Sequence, residues 1–429
     1  MKYDLMHPAD QIVMIMERIY GYGMTTTSGG NLSILDDNGD IWITPGSVDK
    51  GSLTRKDIIC IHPDGSTTGP HKPSVEYPFH KSVYDRRPDV RAVLHAHPPA
   101  LIAFSIARKI PDTTIIPNIH IICGEVGIAE YEVPGSEALG ENIASILVKD
   151  INTVILENHG LVTVADDLFQ AFMQFETLDY CANLEIKSRQ IGKPVSLTSD
   201  QIELASKKHP ERLAEFVPQT VSSAEKDARH KMCELIHRAY DQRLFTSTQG
   251  TFSQRLSDDS FLITPFNIDR KYLEVGDIVR IDGGKREKGK FPSRSVNLHR
   301  EIYRKKGEIN SLIIAPPPNI MAFGITKEKF DTRTIPESYV MLRDIPVMEY
   351  GTNIVNPEKI TRTLSEKTPI LMIENECIIV SGSSLLNAFD RLEVAEFSAK
   401  AVISTHFIGP VISISDDEIE DLKKVFSLA

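Results

Sequence analysis

Cysteine is scarce in this chain. Only Cys60, Cys123, Cys181, Cys233 and Cys377 occur among 429 residues. Their number is odd, they are scattered, and no two have the spacing of a metal knuckle or a redox pair, which excludes a disulfide scaffold. They read as buried thiols of a reducing compartment. The sequence also lacks any run of the ~18 uninterrupted apolar residues that a membrane span needs. Positive charge is in short supply, with 48 Lys and Arg against 59 Asp and Glu and a net charge of −11. The broad basic surface of a nucleic-acid binder is therefore missing. The start, MKYDLMHPADQIVMIMERIYGYGM, carries Asp4, Asp10 and Glu17 and no small-residue cleavage site. It reads as an amphipathic helix, not a secretory leader. These absences lead to the expectation of a cytoplasmic protein with neither nucleic acid nor membrane as partner.

The composition itself, 41% hydrophobic and 25% charged, is that of a folded globular chain long enough for two or three domains. Internal comparison sharpens the number. A shift of 220 lays Gly30 on Gly250, Ser33 on Ser253, Thr44-Pro45 on Thr264-Pro265 and Asp57-Ile58 on Asp277-Ile278. A shift of 219 pairs Pro73-Ser74 with Pro292-Ser293, His80 with His299 and Tyr84 with Tyr303. A shift of 217 pairs Glu157-Asn158 with Glu374-Asn375. The order holds across the match, and a period of this length means a duplicated domain, not a solenoid. The expected division is 1–218 and 219–429, inside the polar stretch Gly192–Ser223, where a charged helical segment is expected around Asp200–Phe216.

In the first copy, Gln11–Tyr20 has the helical spacing of Ile12, Ile15, Met16 and Ile19. Ile41–Thr44, Ile58–His62, Ala92–His97, Thr153–Glu157 and Leu161–Val164 read as strands, and Ser74–Tyr84 and Asp167–Gln190 as helices. Strands and helices without regular βαβ alternation predict an α/β fold with a central sheet between helical layers.

The segment Val93-Leu94-His95-Ala96-His97-Pro98 carries the most chemistry. Residues i and i+2 of a strand share a face, so His95 and His97 offer two imidazoles together, as a divalent ion requires. His159, beside Gly160 at the end of another strand, is the candidate third ligand. The second copy has Ile314, Pro316 and Glu376 at these places. All three imidazoles are lost while the surrounding scaffold persists, as ligands of one ion would be. Glu76 is lost with them, to Ser295; a carboxylate near a metal serves as ligand, general base or both. The loops Ser28-Gly29-Gly30-Asn31-Leu32-Ser33 and Thr44-Pro45-Gly46-Ser47 are small and polar, suited to cradling an anion. Asn31, Gly46 and Ser47 give way to Thr251, Phe266 and Asn267 in the second copy, so they are the candidates for ligand contact.

Through SGGNLS, ITPGS, KPSVE, HAHP and ENHGL, the first copy resembles the class II aldolase/adducin family. The resemblance implies two tandem domains of that kind, each a mainly antiparallel sheet between helical layers, the second degenerate and without metal ligands. It implies one divalent ion, zinc first, on His95, His97 and His159, with Glu76 as acid/base. A substrate phosphate would lie on Asn31, Gly46, Ser47 and Ser74. The implied activity is reversible cleavage of a small ketose, a sugar phosphate, through a metal-stabilised enediolate. The epimerase branch carries aspartate at the Glu76 position, so glutamate favours carbon–carbon cleavage. The alternatives are an epimerase, dehydratase or decarboxylase on the same metal site, or a non-catalytic adducin-like assembly module. The family's cyclic tetramers imply a homo-oligomer, a pseudo-tetrameric dimer or larger.

Overall fold

The computed structural model describes residues 3–148, 151–207 and 212–428. It divides into two compact units: residues up to Thr113 together with Asn118–Asn183, and Thr114–Pro117 together with residues from Leu184 onward.

The first unit is built on an eight-stranded sheet. Its strands are β1 (Asn31–Leu35), β2 (Ile41–Ile43), β3 (Ile59–Ile61), β4 (Thr67–Thr68), β5 (Ala92–Ala96), β6 (Val126–Ala129), β7 (Thr153–Leu156) and β8 (Gly160–Ala165). They lie in the order β4-β3-β2-β1-β5-β8-β7-β6, antiparallel except for the parallel pair β6–β7. The helices are α1 (Pro8–Gly21), α2 (Tyr77–Arg86), α3 (Pro99–Ile106), α4 (Pro117–Cys123), α5 (Glu137–Leu147) and α6 (Leu168–Ser188), of which Pro117 and Leu184–Ser188 fall in the other unit. Side-chain alternation along the strands sends Ile41, Ile43, Ile59, Ile61, Val93 and Val164 to one face, where they meet Phe79 and Val83 of α2 and Leu139 and Ile143 of α5. On the other face Trp42 meets the ring of His7, the N-cap of α1, edge to face. The helix α1 buries Ile12, Ile15, Met16 and Ile19 completely. Each such side chain contributes about 1.5–3 kcal/mol of burial.

The second unit repeats the plan. Its strands are β9 (Glu215–Phe216), β10 (Thr251–Ser257), β11 (Ser260–Ile263), β12 (Val279–Asp282), β13 (Lys285–Glu287), β14 (Ser311–Ala315), β15 (Val347–Met348), β16 (Ile370–Ile373) and β17 (Cys377–Gly382). The order β15-β16-β17-β14-β10-β11-β12-β13-β9 is that of the first sheet with one strand added at the end. The helices α7 (Ser199–Ser206), α8 (Ser223–Asp241) and α9 (Val296–Lys305) belong to this unit. Val296, Leu298 and Ile302 of α9 pack on Phe261, Ile263 and Ile281 much as α2 packs in the first unit.

Two expected elements differ. The segment Asp200–Phe216 is helical only over Ser199–Ser206 and extended at Glu215–Phe216, while residues 208–211 lie outside the described residues. The helix expected from Ser74 begins at Tyr77. The reason is a pairing distant in sequence: the Ser74 N–H donates to Thr44 O at 3.2 Å and Pro45 bridges Pro73, which holds this stretch extended.

Candidate metal centre and the loops around it

Strands β1 and β5 pair so that Asn31 stands opposite His95. On β5, His95 shares the face of Val93, the side covered by α2, so its ring meets Phe79 edge to face with centroids 5.8 Å apart. His97 follows two residues later, and His159 lies in the tight turn between β7 and β8, where Asn158 has φ +54°. The turn is pinned by Ser105, whose hydroxyl donates to Leu156 O at 2.6 Å and accepts the His159 N–H at 3.1 Å. Gly160 permits the close approach: a Cβ there would lie 2.7 Å from His97 Cδ2 and 3.0 Å from His95 Cε1. Gly30 does the same on the other side, with φ +73° and only 2.8 Å between a would-be Cβ and His95 O.

The three histidines offer ring nitrogens within 4.8 Å of one another. The Nε2 atoms of His95 and His97 are 3.0 Å apart. Glu76, at the N-cap of α2, places Oε2 3.4 Å from His95 Nε2 and Oε1 3.4 Å from His159 Nε2. Two donors about 2.0–2.2 Å from a tetrahedral ion are about 3.3–3.6 Å apart, so the two carboxylate–imidazole separations match edges of a ligand polyhedron and the His95–His97 separation is a little shorter. His95 Nδ1 lies 2.9 Å from Leu161 O, a bond it can only donate, which leaves the Nε2 lone pair for a cation. Glu76 Oε1 is buried with no hydrogen-bond partner among the described residues. Burial lowers the pKa of His95, His97 and His159, and their mutual proximity lowers those of His95 and His97 further, which favours the neutral ligating form. The residues present therefore fit a divalent ion.

Behind the centre runs a chain of hydrogen bonds. Asn31 Nδ2 donates to Glu76 Oε2 at 2.6 Å, and Asn31 Oδ1 meets His80 Nε2. His80 Nδ1 is 2.7 Å from Ser33 Oγ, which is 2.7 Å from the Tyr84 hydroxyl. Because Asn31 Oδ1 only accepts, Nε2 of His80 carries the proton; burial holds the ring neutral with a pKa of about 3. In the second unit Ser253, His299 and Tyr303 repeat the inner links, but Thr251 replaces Asn31 and His299 Nε2 has no partner among the described residues. His80 is thus a site residue that comparison of the two copies overlooks, because its imidazole is kept in both.

The expected anion contacts divide into two groups. Asn31 is engaged with Glu76 and His80. Ser74 is buried beside Glu76, its hydroxyl accepting the Glu76 N–H at 3.3 Å. Gly46 is stitched to the same segment by its N–H on Lys72 O at 3.0 Å. Ser47 stands at the exposed end of that loop with φ +56°. Beneath the loop lies Lys50, 2% exposed, which donates to Pro45 O and whose pKa burial lowers to about 8. Its counterpart Arg270 donates to Pro265 O. Sequence comparison missed Lys50, although the cation at both places was the available signal.

The family model described as "Class II Aldolase and Adducin N-terminal domain" matches residues 10–186 and again 230–403. The 5-deoxy-D-ribulose 1-phosphate aldolase of Bacillus thuringiensis serovar kurstaki is 29% identical over 46% of this chain and 93% of its own. The L-fuculose phosphate aldolase of Methanococcus maripaludis is 31% identical over 41% of this chain and 93% of its own. The 3-oxo-tetronate 4-phosphate decarboxylase of Pectobacterium atrosepticum is 30% identical over 41% of this chain and 81% of its own.

Proposed function

Because the chain belongs to the class II aldolase and adducin N-terminal domain family, we propose that its first repeat, within residues 1–218, is a metal-dependent carbon–carbon lyase acting on a phosphorylated ketose. The observation that carries this reading is the set of separations among His95, His97, His159 and Glu76, 3.0–3.4 Å along three edges. Those histidines would hold the ion, zinc by the preference of an imidazole set with a nearby carboxylate. When bound, the ion supplies Lewis-acid polarisation of a carbonyl and compensation of the negative charge that develops on oxygen.

The chain's own residues do the rest. Glu76 moves the proton at the carbon beside the carbonyl, with Oε2 anchored by Asn31 and Oε1 turned toward the cluster. His80, fixed by Ser33, keeps the Asn31 amide oriented so that it always presents N–H to the carboxylate. Ser74 and Ser47 offer hydroxyls to the phosphate, Gly46, its N–H held by Lys72 O, lets the loop lie close without a side chain, and the Lys50 charge lies beneath them. The second repeat, with Ile314, Pro316, Glu376 and Ser295 at the corresponding places, takes no catalytic part.

Metal analysis of the purified chain and of His95→Ala, with an assay of L-fuculose 1-phosphate and 5-deoxy-D-ribulose 1-phosphate, tests the reading. We expect one ion per chain to be lost in the variant and dihydroxyacetone phosphate to be released by the parent. No ion lost, and no such product from either ketose, would refute it. The similarity to a decarboxylase favours one second reading, decarboxylation of a phosphorylated oxo acid on the same centre. Carbon dioxide release from 3-oxo-tetronate 4-phosphate, without ketose cleavage, would establish that instead.

A further inference from the structure

The first sheet carries a second group of metal-ligating side chains on the face opposite the histidine cluster. In β2 and β3 the isoleucines Ile41, Ile43, Ile59 and Ile61 face the core shared with α2 and α5. Alternation then turns Asp40, Cys60 and His62 to the other side. The pairing of Trp42 with Cys60 and Ile41 with Ile61 sets Asp40 across from His62, and Thr68 of β4 pairs with Cys60. Oxygen, sulfur and nitrogen donors thereby converge within 4.8 Å.

The geometry points to a cation site here, for a borderline-soft divalent ion such as zinc or cobalt, with Asp40, Cys60 and His62 as ligands. His62 Nδ1 is 2.8 Å from Asp40 Oδ1 and 3.8 Å from Cys60 Sγ. A nitrogen and a thiolate on one tetrahedral zinc stand about 3.5 Å apart, so the sulfur is already in range. The other donor atoms are tied as ligands usually are. His62 Nε2 lies 2.9 Å from Thr68 Oγ1, which orients the ring, and Asn38 Nδ2 donates to Asp40 Oδ2 at 2.8 Å, which leaves Oδ1 turned inward. The His62 and Asp40 side chains are 36% and 15% exposed while Cys60 is buried, so an ion has a protein floor and an open side for water.

The second repeat supplies the contrast. At the same register it has Ser260, Arg280 and Asp282, with Ser260 paired to Asp282. Arg280 donates to Asp282 and, at 3.0 Å, to Glu225. That repeat fills the position with a permanent guanidinium. The first repeat has no Arg or Lys there and substitutes three ligand-type side chains. A histidine–aspartate hydrogen bond alone would need no buried sulfur beside it.

Cobalt(II) titration of the full chain tests the site without reference to catalysis. We expect a near-ultraviolet thiolate-to-cobalt charge-transfer band that saturates within two equivalents in the parent, which carries both centres, and at one equivalent in His95→Ala/His97→Ala. It should persist in His95→Ala/His97→Ala and vanish in Cys60→Ser. Asp40→Asn should weaken cobalt binding in that band by at least about tenfold. Circular dichroism of Cys60→Ser matching the parent shows that the variant is folded. No charge-transfer band in the parent chain, or a band that survives Cys60→Ser, would overturn the proposal. Because the histidine double variant removes the other centre, failure here leaves the aldolase reading standing.

Discussion

Glu76 sits where the candidate ligands meet the hydrogen-bond chain that starts at Tyr84. Its two oxygens do different things, one anchored at 2.6 Å by Asn31 and the other without a hydrogen-bond partner among the described residues and turned toward His159. Replacing it by glutamine preserves the acceptor for Asn31 and removes the proton carrier. Glu76→Gln should lower kcat by about a hundredfold or more. Its thermal unfolding should stay close to that of the parent. A variant within tenfold of parental kcat would remove Glu76 from the acid/base role. Glu76 and the histidines were legible in the sequence because the second copy discards them together. His80 and Lys50 were not, since the second copy keeps an imidazole and a cation at their places for folding. The contrast between copies finds only residues with no structural duty.

Short turns decide where the functional side chains stand. The β7–β8 turn brings His159 to the pair on β5, and Gly160 is the only residue type that fits there. In Gly160→Ala the added carbon would press on His97, 2.7 Å away, and on His95 at 3.0 Å. Overpacking of this kind costs about 1–3 kcal/mol. Because both rings are displaced, metal affinity should fall about tenfold or more, read by competition with a chromophoric chelator. Unchanged affinity would mean the rings are not the ligands. The helices α1 and α6 and the β5, β7 and β8 strands were readable from apolar periodicity to within a few residues. The start of α2 was not. It is delayed by the bridge from Pro45 to Pro73, a pairing across a loop that no local pattern announces. The helices α3 and α4 lack a strong period and were not foreseen; α5 was also not foreseen, although Leu139, Ile143 and Leu147 recur at helical spacing.

Both units share one strand order, and both bury an imidazole in a Ser–His–Tyr network. His299 is the cleaner probe, away from the candidate ligands. Burial depresses its pKa to about 3 from an ordinary value of 6.5. The folded state therefore holds the neutral ring and the unfolded state takes the proton. The sign follows: stability is complete above pH 6.5 and declines as pH falls from there toward 3, by up to about 1.4 kcal/mol per pH unit. Urea unfolding at a series of pH values should show a flatter acid limb in His299→Gln than in the parent. Identical limbs would mean the ring is protonated in the fold. The repetition of strand order was foreseen from the internal match of the sequence. The extra strand β9 was not, because two residues, Glu215 and Phe216, carry no periodic signal.

That strand has a practical consequence. The outer edge of the first sheet is β4, only two residues long and made of exposed threonines, too short to recruit another chain. In the second sheet the corresponding β13 is covered instead, with Glu215 and Phe216 laid parallel to Arg286 and Glu287. The inter-repeat segment thus works as an edge guard. Proteolytic clipping between Phe216 and Ser223 would leave the two halves covalently separate and the guard strand on the wrong fragment. Were the fragments then separated, the second repeat would present a naked edge with its backbone N–H and C=O groups unpaired, and self-association into ribbons is the hazard it would face.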